Sequence, residues 1–411
     1  MISLLGILSF LGLAWAMSSN RRQVPWRVVA WGMGLQWIIG LVVFRTPLGQ
    51  GVFEAANVAI RKLNEFAGEG AKLVFGALGD GGKMQETFGE GVIFAIAIPA
   101  TIILVSALSS LLYHWRVLPW VVTGIAWVMR RTMRTSGSET LATASNIFMG
   151  QTEAPLVVKP YLAGMTRSEL MALMVGGMAT IAGGVAAAYA SLGINAGHLL
   201  TASILSAPGT LVIAKLMFPE TDKSETVDEE CALPKSSATN SIDALCQGAS
   251  DGMRLSINVI AMLIAFVALV YMANAILGWV LSPLGWSTTI QEVIGWLNVP
   301  FAWLMGVPPD ECVRVGSVLG ERVVLNEFMG YLQLTSMMEG EGALSPRTSA
   351  IATYALCGFA NFGSVAIQIG GIGTLAPERR ADLARLGLKA MLGGVLACYL
   401  TATIAGLLMP G

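Results

Sequence analysis

Residues 138–159 read SETLATASNIFMGQTEAPLVVK, and residues 301–328 read FAWLMGVPPDECVRVGSVLGERVVLNEF. Both stretches are mostly apolar, yet each carries carboxylates, glycine and proline. Neither holds an uninterrupted run of the roughly 20 residues that a helix needs to cross a bilayer. Backbone broken at membrane depth survives only where protein or a water-lined cavity satisfies its N–H and C=O groups. The two stretches are therefore expected to enter the membrane and turn back, as re-entrant hairpins at 138–163 and 301–335.

What surrounds them fits a bilayer. The 411 residues are 55% hydrophobic and only 12% charged, about half the charged share usual for soluble domains. So little charge cannot cover a water-exposed surface, whereas a lipid-exposed one needs almost none. Apolar runs predict about eight transmembrane helices, near 2–17, 28–45, 91–113, 170–190, 199–218, 254–282, 350–371 and 387–408. The first run ends in Ala14-Trp15-Ala16, the small-x-small look of a signal-peptide cleavage site, but it lacks a positive leader and is followed by Arg21, Arg22 and Arg27. It reads as a span with its N-terminus outside. The clusters Arg116/Arg130/Arg131/Arg134, Lys159/Arg167 and Arg379/Arg380/Arg385/Lys389 then all fall on the cytoplasmic side, as the positive-inside rule asks. Both termini are expected on the outer side. The acidic segment 219–251, with Glu220, Asp222, Glu225, Asp228, Glu229 and Glu230, reads as a cytoplasmic loop, and amphipathic 46–90 as an interfacial helix.

The order hairpin, Gly-rich span, span occurs twice, at 138–218 and 301–408, with MVGGMATIAGGVAAAYASLG (174–193) answering YALCGFANFGSVAIQIGGIG (354–373). Under the topology above the first unit enters from inside and the second from outside, which makes them inverted-topology repeats. Paired interrupted segments in two halves point to a transporter site near the bilayer midplane. The fold expected is thus an all-α integral membrane protein in four parts. Residues 1–113 form scaffold helices with an interfacial helix, 114–218 the first transport repeat, 219–300 a cytoplasmic loop, scaffold span and interfacial segment, and 301–411 the second repeat.

Several functions are excluded. A net charge of −1 with no basic patch is unsuited to neutralising nucleic-acid phosphates. His114, His198 and five scattered cysteines show no metal-ligand spacing. No phosphate-cradling G-x-x-x-x-G-K-[ST] occurs, so uphill work would draw on an ion gradient. An intramembrane enzyme using Glu153 and Glu327 as an acid–base pair has no nucleophile or metal motif to support it. His198, placed in a short outer loop, has no evident partner.

The polar residues inside the apolar stretches are the candidates. Gln151, Thr152 and Glu153 follow Gly150 and precede Pro155, which puts three polar side chains at the tip of a broken helix. Glu327, beside Asn326, is the matching carboxylate of the second half; its bland alternative is an ion pair with Arg322 or Arg347. Asn361 and Ser364, in GFANFGS, and Thr180, beside Gly183 and Gly184, suit either interhelical hydrogen bonds or a hard-oxygen cation site.

At NIFMGQTEAPLVVKPY (146–161), ATIAGGV (179–185), VLNEF (324–328), and GFANFGSVAIQIGG (358–371) followed by APERR (376–380), the chain resembles the concentrative nucleoside transporter family. The resemblance implies a symporter without cofactors, driven by Na⁺ or H⁺, that takes nucleosides such as uridine into the cell; a carrier for another small polar solute is the alternative. It implies a homotrimer with contacts near 91–113 and 254–282. The composition, without a long soluble extension, suggests a bacterial inner-membrane location. The resemblance further implies that Gln151, Thr152, Glu153, Val185 and Phe359 face the nucleobase and that Glu327, Asn361 and Ser364 hold the ribose. Sodium would be held by the Asn146 and Thr180 side chains and the Met149 and Ile181 carbonyls. Gly363 occupies a position where the family also has serine, so the ribose contacts near it are open to change.

Overall fold

The computed structural model describes residues 2–88, 93–227, 231, 233–284 and 288–409, and every regular element among them is helical. In chain order these are α1 (Ile2–Ala16), α2 (Trp26–Arg45), α3 (Pro47–Phe75), α4 (Gly81–Phe88), α5 (Phe94–His114), α6 (Val117–Met133), α7 (Gly137–Ser145), α8 (Ala154–Val157) and α9 (Arg167–Ala179). There follow α10 (Gly183–Ser191), α11 (Ala196–Met217), α12 (Ser241–Leu281), α13 (Ile290–Met305), α14 (Cys312–Val324), α15 (Glu327–Ser336), α16 (Pro346–Leu356), α17 (Phe362–Leu375) and α18 (Arg380–Leu408). Local sequence explains many of the starts. Ser136 with Glu139, Thr166 with Glu169, and Thr289 with Glu292 form reciprocal caps on α7, α9 and α13, each satisfying two N–H groups left over by helix geometry.

Among the described residues, α2, α9 with α10, α11, α12, and α18 with its preceding turn are each long and apolar enough to cross a membrane; α5 and α6, bent by 75° at their junction, pass the same test only when taken together. The layering separates them. The apolar windows of α9–α10, α11 and α18 are 94%, 89% and 83% buried, against 0% for α12. The first three therefore form a central bundle, while α12 presents Ile264, Tyr271 and Trp279 outward. α12 also lies against α5 at very short range: a Cβ on Gly252 would sit 2.8 Å from Ile103 Cα, and one on Gly248 2.5 Å from Ser106 O. Such close approach lets backbone dispersion replace the hydrophobic drive that lipid does not supply.

Each expected span coincides in sequence with a helix or a helix pair with a short break, but α1 and α17 are apolar helices shorter than the 18 residues of a crossing. The amphipathic stretch after residue 46 forms the 29-residue α3. Three boundaries differ. α12 starts at Ser241, because Asn240 accepts a hydrogen bond from Asp243 N (2.9 Å), so residues 241–251 are helix and not loop. α13 runs on to Met305, where Gly306 turns the chain out with φ 95°; the second helical hairpin, α14–α15, therefore begins at Cys312 and not at 301. His198 lies on α11, with Nδ1 3.3 Å from the Tyr354 hydroxyl and its ring edge-on to Phe53, so it does have partners. Asp228, Glu229 and Glu230, and the first two residues of the expected 91–113 span, lie outside the described residues.

A buried ion cluster fastens the first hairpin to the bundle. Lys215 Nζ, on α11, is 2.6 Å from Glu139 Oε2 on α7 and 3.1 Å from Glu220 Oε2 after α11, and it donates to Ser168 Oγ on α9 (2.9 Å). Beside it Glu169 accepts from Ser224 Oγ (2.5 Å) and Ser138 Oγ (3.2 Å). Paired in this way, buried charges are tolerated.

Candidate functional site

Two apolar helical stretches are broken at mid-length. At Thr180 the backbone becomes extended (φ −133°, ψ 167°), ending α9 before α10 begins. Between Leu356 and Phe362 the chain loses helical form again, and Asn361 (φ −141°, ψ 168°) restarts it by accepting a hydrogen bond from Ser364 N (2.8 Å). The two breaks lie back to back. A Cβ on Gly358 would sit 2.6 Å from Met178 O, and one on Gly394 of α18 would sit 2.7 Å from Met178 Cβ and 3.2 Å from Ala360 Cβ. The Cys398 thiol, also on α18, bridges them, 3.8 Å from Ala179 O and 3.5 Å from Cys357 O.

Two hairpin tips meet these breaks. In the first, α7 ends at Asn146 and a turn carries the chain through Gln151–Glu153 into α8; Gly183 N donates to Phe148 O (3.1 Å), tying the turn to the start of α10. The second is an antiparallel pair, with Gln333 Nε2 of α15 donating to Ser317 Oγ of α14 (2.9 Å). Its tip at Leu325 and Asn326 opens onto the same space.

That space is a cavity of about 350 Å³, at the small end of the roughly 300–1,000 Å³ typical of small-molecule sites. Its wall contains Gln151, Thr152, Glu153, Val185, Phe359, Glu327, Asn361 and Ser364, so all eight residues expected around a nucleoside come together. The capping residues Ala182, Asn326 and Asn361 border it too, which aims the N-terminal ends of α10, α15 and α17 at the cavity and favours electron-rich oxygens there.

The polar groups are held across the two halves. Glu327 Oε1 accepts from the Tyr189 hydroxyl (2.6 Å) and Oε2 from Asn361 Nδ2 (3.0 Å). Gln151 Nε2 donates to Ser364 Oγ (3.0 Å), and Gln151 Oε1 accepts from Gln368 Nε2 (3.2 Å). Glu153 Oε2 accepts from Gly150 N (3.2 Å), closing its own turn. The ion-pair alternative for Glu327 is not what forms: Arg322 donates to Ala355 O beneath the Tyr399 ring, and Arg347 donates to Gly406 O. Tyr189 and Gln368 were not among the expected site residues. Each sits four residues after one that was, Val185 and Ser364, hence on the same helix face. Asn258 and Phe266 of α12 also line the cavity; Asn258, an amide inside an apolar run, carried a signal that sequence reasoning passed over, whereas nothing marks Phe266.

The four residues expected around sodium cluster beside the cavity. Asn146 is 1% exposed, and neither Oδ1 nor Nδ2 has a hydrogen-bond partner. A Cβ on Gly176 would lie 2.9 Å from Asn146 Nδ2, and Gly150 meets Ala182 closely, so the turn holding Asn146 and Met149 rests on the break holding Thr180 and Ile181. Thr180 Oγ1 donates to Gly176 O (2.9 Å) and retains its lone pairs. A buried amide oxygen left without a hydrogen-bond partner, on a turn packed against this break, fits a hard cation.

Known proteins match along nearly the whole chain. Three family models cover it: "Na+ dependent nucleoside transporter N-terminus" at 5–78, "Nucleoside recognition" at 95–196, and "Na+ dependent nucleoside transporter C-terminus" at 198–406. The "Nucleoside permease NupC" of Helicobacter pylori is 38% identical, over 99% of this chain and 97% of its own length. "Solute carrier family 28 member 3" of Eptatretus stoutii is 40% identical, and the chain spans 60% of its length. Among solved structures, CNTnw in an inward-facing substrate-bound state matches with TM-score 0.91 and 40% identity, over 99% of this chain and 98% of that one. A CNTnw variant in an outward-facing state matches with TM-score 0.91 and 39% identity, over 99% and 97%.

Proposed function

The chain belongs to the Na⁺-dependent nucleoside transporter family, whose members carry solutes and do not transform them, and from that premise we propose that it is a Na⁺-coupled nucleoside symporter working by alternating access. The observation that carries the reading is the cavity shared by the two hairpin tips, with an amide-rich wall at Gln151–Glu153 and a carboxylate wall at Glu327, Asn361 and Ser364. A nucleoside is neutral, with a planar hydrogen-bonding base and a polyol sugar, and these two walls match its two ends. In this reading Gln151, Thr152 and Glu153 take the base, with Val185 and Phe359 against its faces. Glu327, Asn361 and Ser364 take the ribose hydroxyls.

Sodium is cargo alongside the nucleoside, held by Asn146 and Thr180 side chains and by the Met149 and Ile181 carbonyls. The unpartnered Asn146 amide supports this assignment. One Na⁺ moving down about 100 mV and a tenfold gradient yields roughly 3.7 kcal/mol, enough for about 500-fold accumulation. The hairpins with their broken spans form the moving unit as inverted repeats, and three copies associate through the outward faces of α5 and α12. The setting is a bacterial inner membrane with both termini outside.

The test is uptake of radiolabelled uridine into proteoliposomes of the purified protein, with an inward Na⁺ gradient compared with choline at equal pH. Accumulation above equilibrium with Na⁺ alone is expected. Accumulation driven only by a proton gradient would remove the sodium site and keep the nucleoside, and no accumulation under either gradient would refute the assignment.

A further inference from the structure

Behind the cavity wall, and not one of its lining residues, stands Gln368 of α17, a buried amide (1% exposed) one helical turn after Ser364. Its Nε2 donates to Met174 O on α9 (3.1 Å) and to Gln151 Oε1 at the tip of the first hairpin (3.2 Å), which uses both hydrogens of that nitrogen. Met174 O can only accept, so the Gln368 amide cannot be turned over, since its oxygen would then face that carbonyl. It keeps this orientation although its own Oε1 finds no partner among the described residues. The bond to Met174 alone would be ordinary adhesion between helices. The bond to Gln151 does more, because it decides which end of a second amide faces which way. With Oε1 held by Gln368, Gln151 must turn Nε2 to the other side, where it donates to Ser364 Oγ (3.0 Å) and has a second hydrogen left over. Neither side chain has room to slip aside on α9: a Cβ on Gly177 would lie 2.7 Å from Gln368 Nε2 and 2.9 Å from Gln151 Cβ.

We infer that Gln368 is a positioning residue for substrate recognition: it fixes the polarity of the Gln151 amide, so that the nucleobase is met by an N–H donor and has to present an acceptor there, a carbonyl oxygen or an unprotonated ring nitrogen. The inference rests on the nucleoside reading of the cavity and deepens it. A free glutamine offers either end of its amide and loses rotamer freedom at the moment of binding, whereas one clamped from behind offers one end and has lost that freedom already. The setting passes on to Ser364. Its oxygen receives a hydrogen from Gln151, and its own hydroxyl hydrogen stays free to donate on the sugar side.

Ordering one free side chain on binding costs roughly two- to tenfold in affinity. Uridine dissociation constants would be measured by isothermal titration calorimetry on the full chain in detergent at saturating Na⁺, for the wild type, Gln368→Leu, Gln151→Ala and the two combined. Gln368→Leu should weaken uridine about fivefold, and Gln368→Met, which removes the same amide with an unbranched chain, should give the same factor. In the Gln151→Ala background, with no amide left to hold, Gln368→Leu should have almost no further effect. Gln151→Glu can still accept from Gln368 but turns only an oxygen to the base, so it should bind uridine more weakly than Gln151→Ala. An equal factor for Gln368→Leu in both backgrounds is what a packing role gives. That result, wild-type affinity in Gln368→Leu, or Gln151→Glu binding as tightly as Gln151→Ala would overturn the inference and leave the nucleoside reading in place. A wild type that binds no uridine would overturn both.

Discussion

Replacing Glu327 by Gln tests the ribose-binding role proposed for it, because the structure dictates how the amide must sit. Asn361 Oδ1 is committed to Ser364 N (2.8 Å), so its Nδ2 must keep facing position 327 (3.0 Å to Oε2). The new side chain therefore presents its oxygen to Asn361 and its NH₂ to Tyr189, whose hydroxyl can accept as well as donate. The local fold survives, and what is lost is the ionised acceptor. Hydrogen bonds to charged groups contribute about 1.5–3 kcal/mol and neutral ones about 0.5–1.5, a difference of roughly 1 kcal/mol per bond. With Tyr189 and Asn361 each taking one lone pair, a carboxylate has sites left for two ribose hydroxyls. The expected loss is about 2 kcal/mol, or about 30-fold in uridine affinity. Uptake into proteoliposomes would be measured for uridine and for 2′- and 3′-deoxyuridine. The variant should lose affinity for uridine far more than for the deoxynucleosides, narrowing the gap between them. A uridine KM within threefold of the wild type, or undiminished discrimination against the deoxy sugars, would refute the argument.

Thr180→Ala should raise the Na⁺ concentration for half-maximal uptake about tenfold, roughly 1.4 kcal/mol, with little change in uridine KM at saturating Na⁺; an unmoved Na⁺ curve would take Thr180 out of the ion site. Lys215→Met strands Glu139 without its partner 2.6 Å away and should destabilise the protein by about 3–5 kcal/mol, read as thermal unfolding in detergent. Adding Glu139→Gln should recover most of that loss, and a single variant as stable as the wild type would show that the pair is not what holds the hairpin. Gly358→Ala pushes a methyl to within 2.6 Å of Met178 O, an overpacking costing about 1–3 kcal/mol, so uptake per unit of folded protein should collapse; wild-type rates would mean that the breaks are free to separate.

The membrane character and the polar tips were legible because both are anomalies of composition: carboxylates and amides inside apolar sequence have few structural excuses. Gln151, Glu327, Asn361 and Ser364 stood out for that reason. Tyr189 did not, since an aromatic in an Ala-rich run looks like packing, and only its hydroxyl reaching Glu327 on α15 gives it away. Thr180 is a candidate cation ligand from its place beside Gly183 and Gly184, whereas Asn146, Met149 and Ile181 came with the family resemblance; spacing alone offers no reason to join a turn at 146–149 to a break at 180–181. The contribution of α12 is tertiary, because its cavity face is chosen by close contact with α5 at Gly248 and Gly252. The start of the second hairpin was misplaced by eleven residues because Phe301–Met305 is as apolar as what precedes it, and the stop signal, Gly306 in a left-handed conformation, reads equally well as a turn inside a hairpin.

The back-to-back contact of the two breaks bears on how ion and nucleoside can know of each other. The residues proposed for sodium and those proposed for the nucleoside have no member in common, so cooperation between the two cargoes cannot come from a shared ligand. It has to pass through something both sites deform. Gly358 against Met178 O, Gly394 against Met178 and Ala360, and Cys398 bridging the carbonyls of Ala179 and Cys357 form a close-packed junction, where displacing one segment displaces the other. Thermodynamic linkage then fixes the bargain in both directions: whatever factor sodium adds to nucleoside affinity, the nucleoside returns to sodium. Loosening that junction should uncouple the two binding curves while leaving each set of ligands intact.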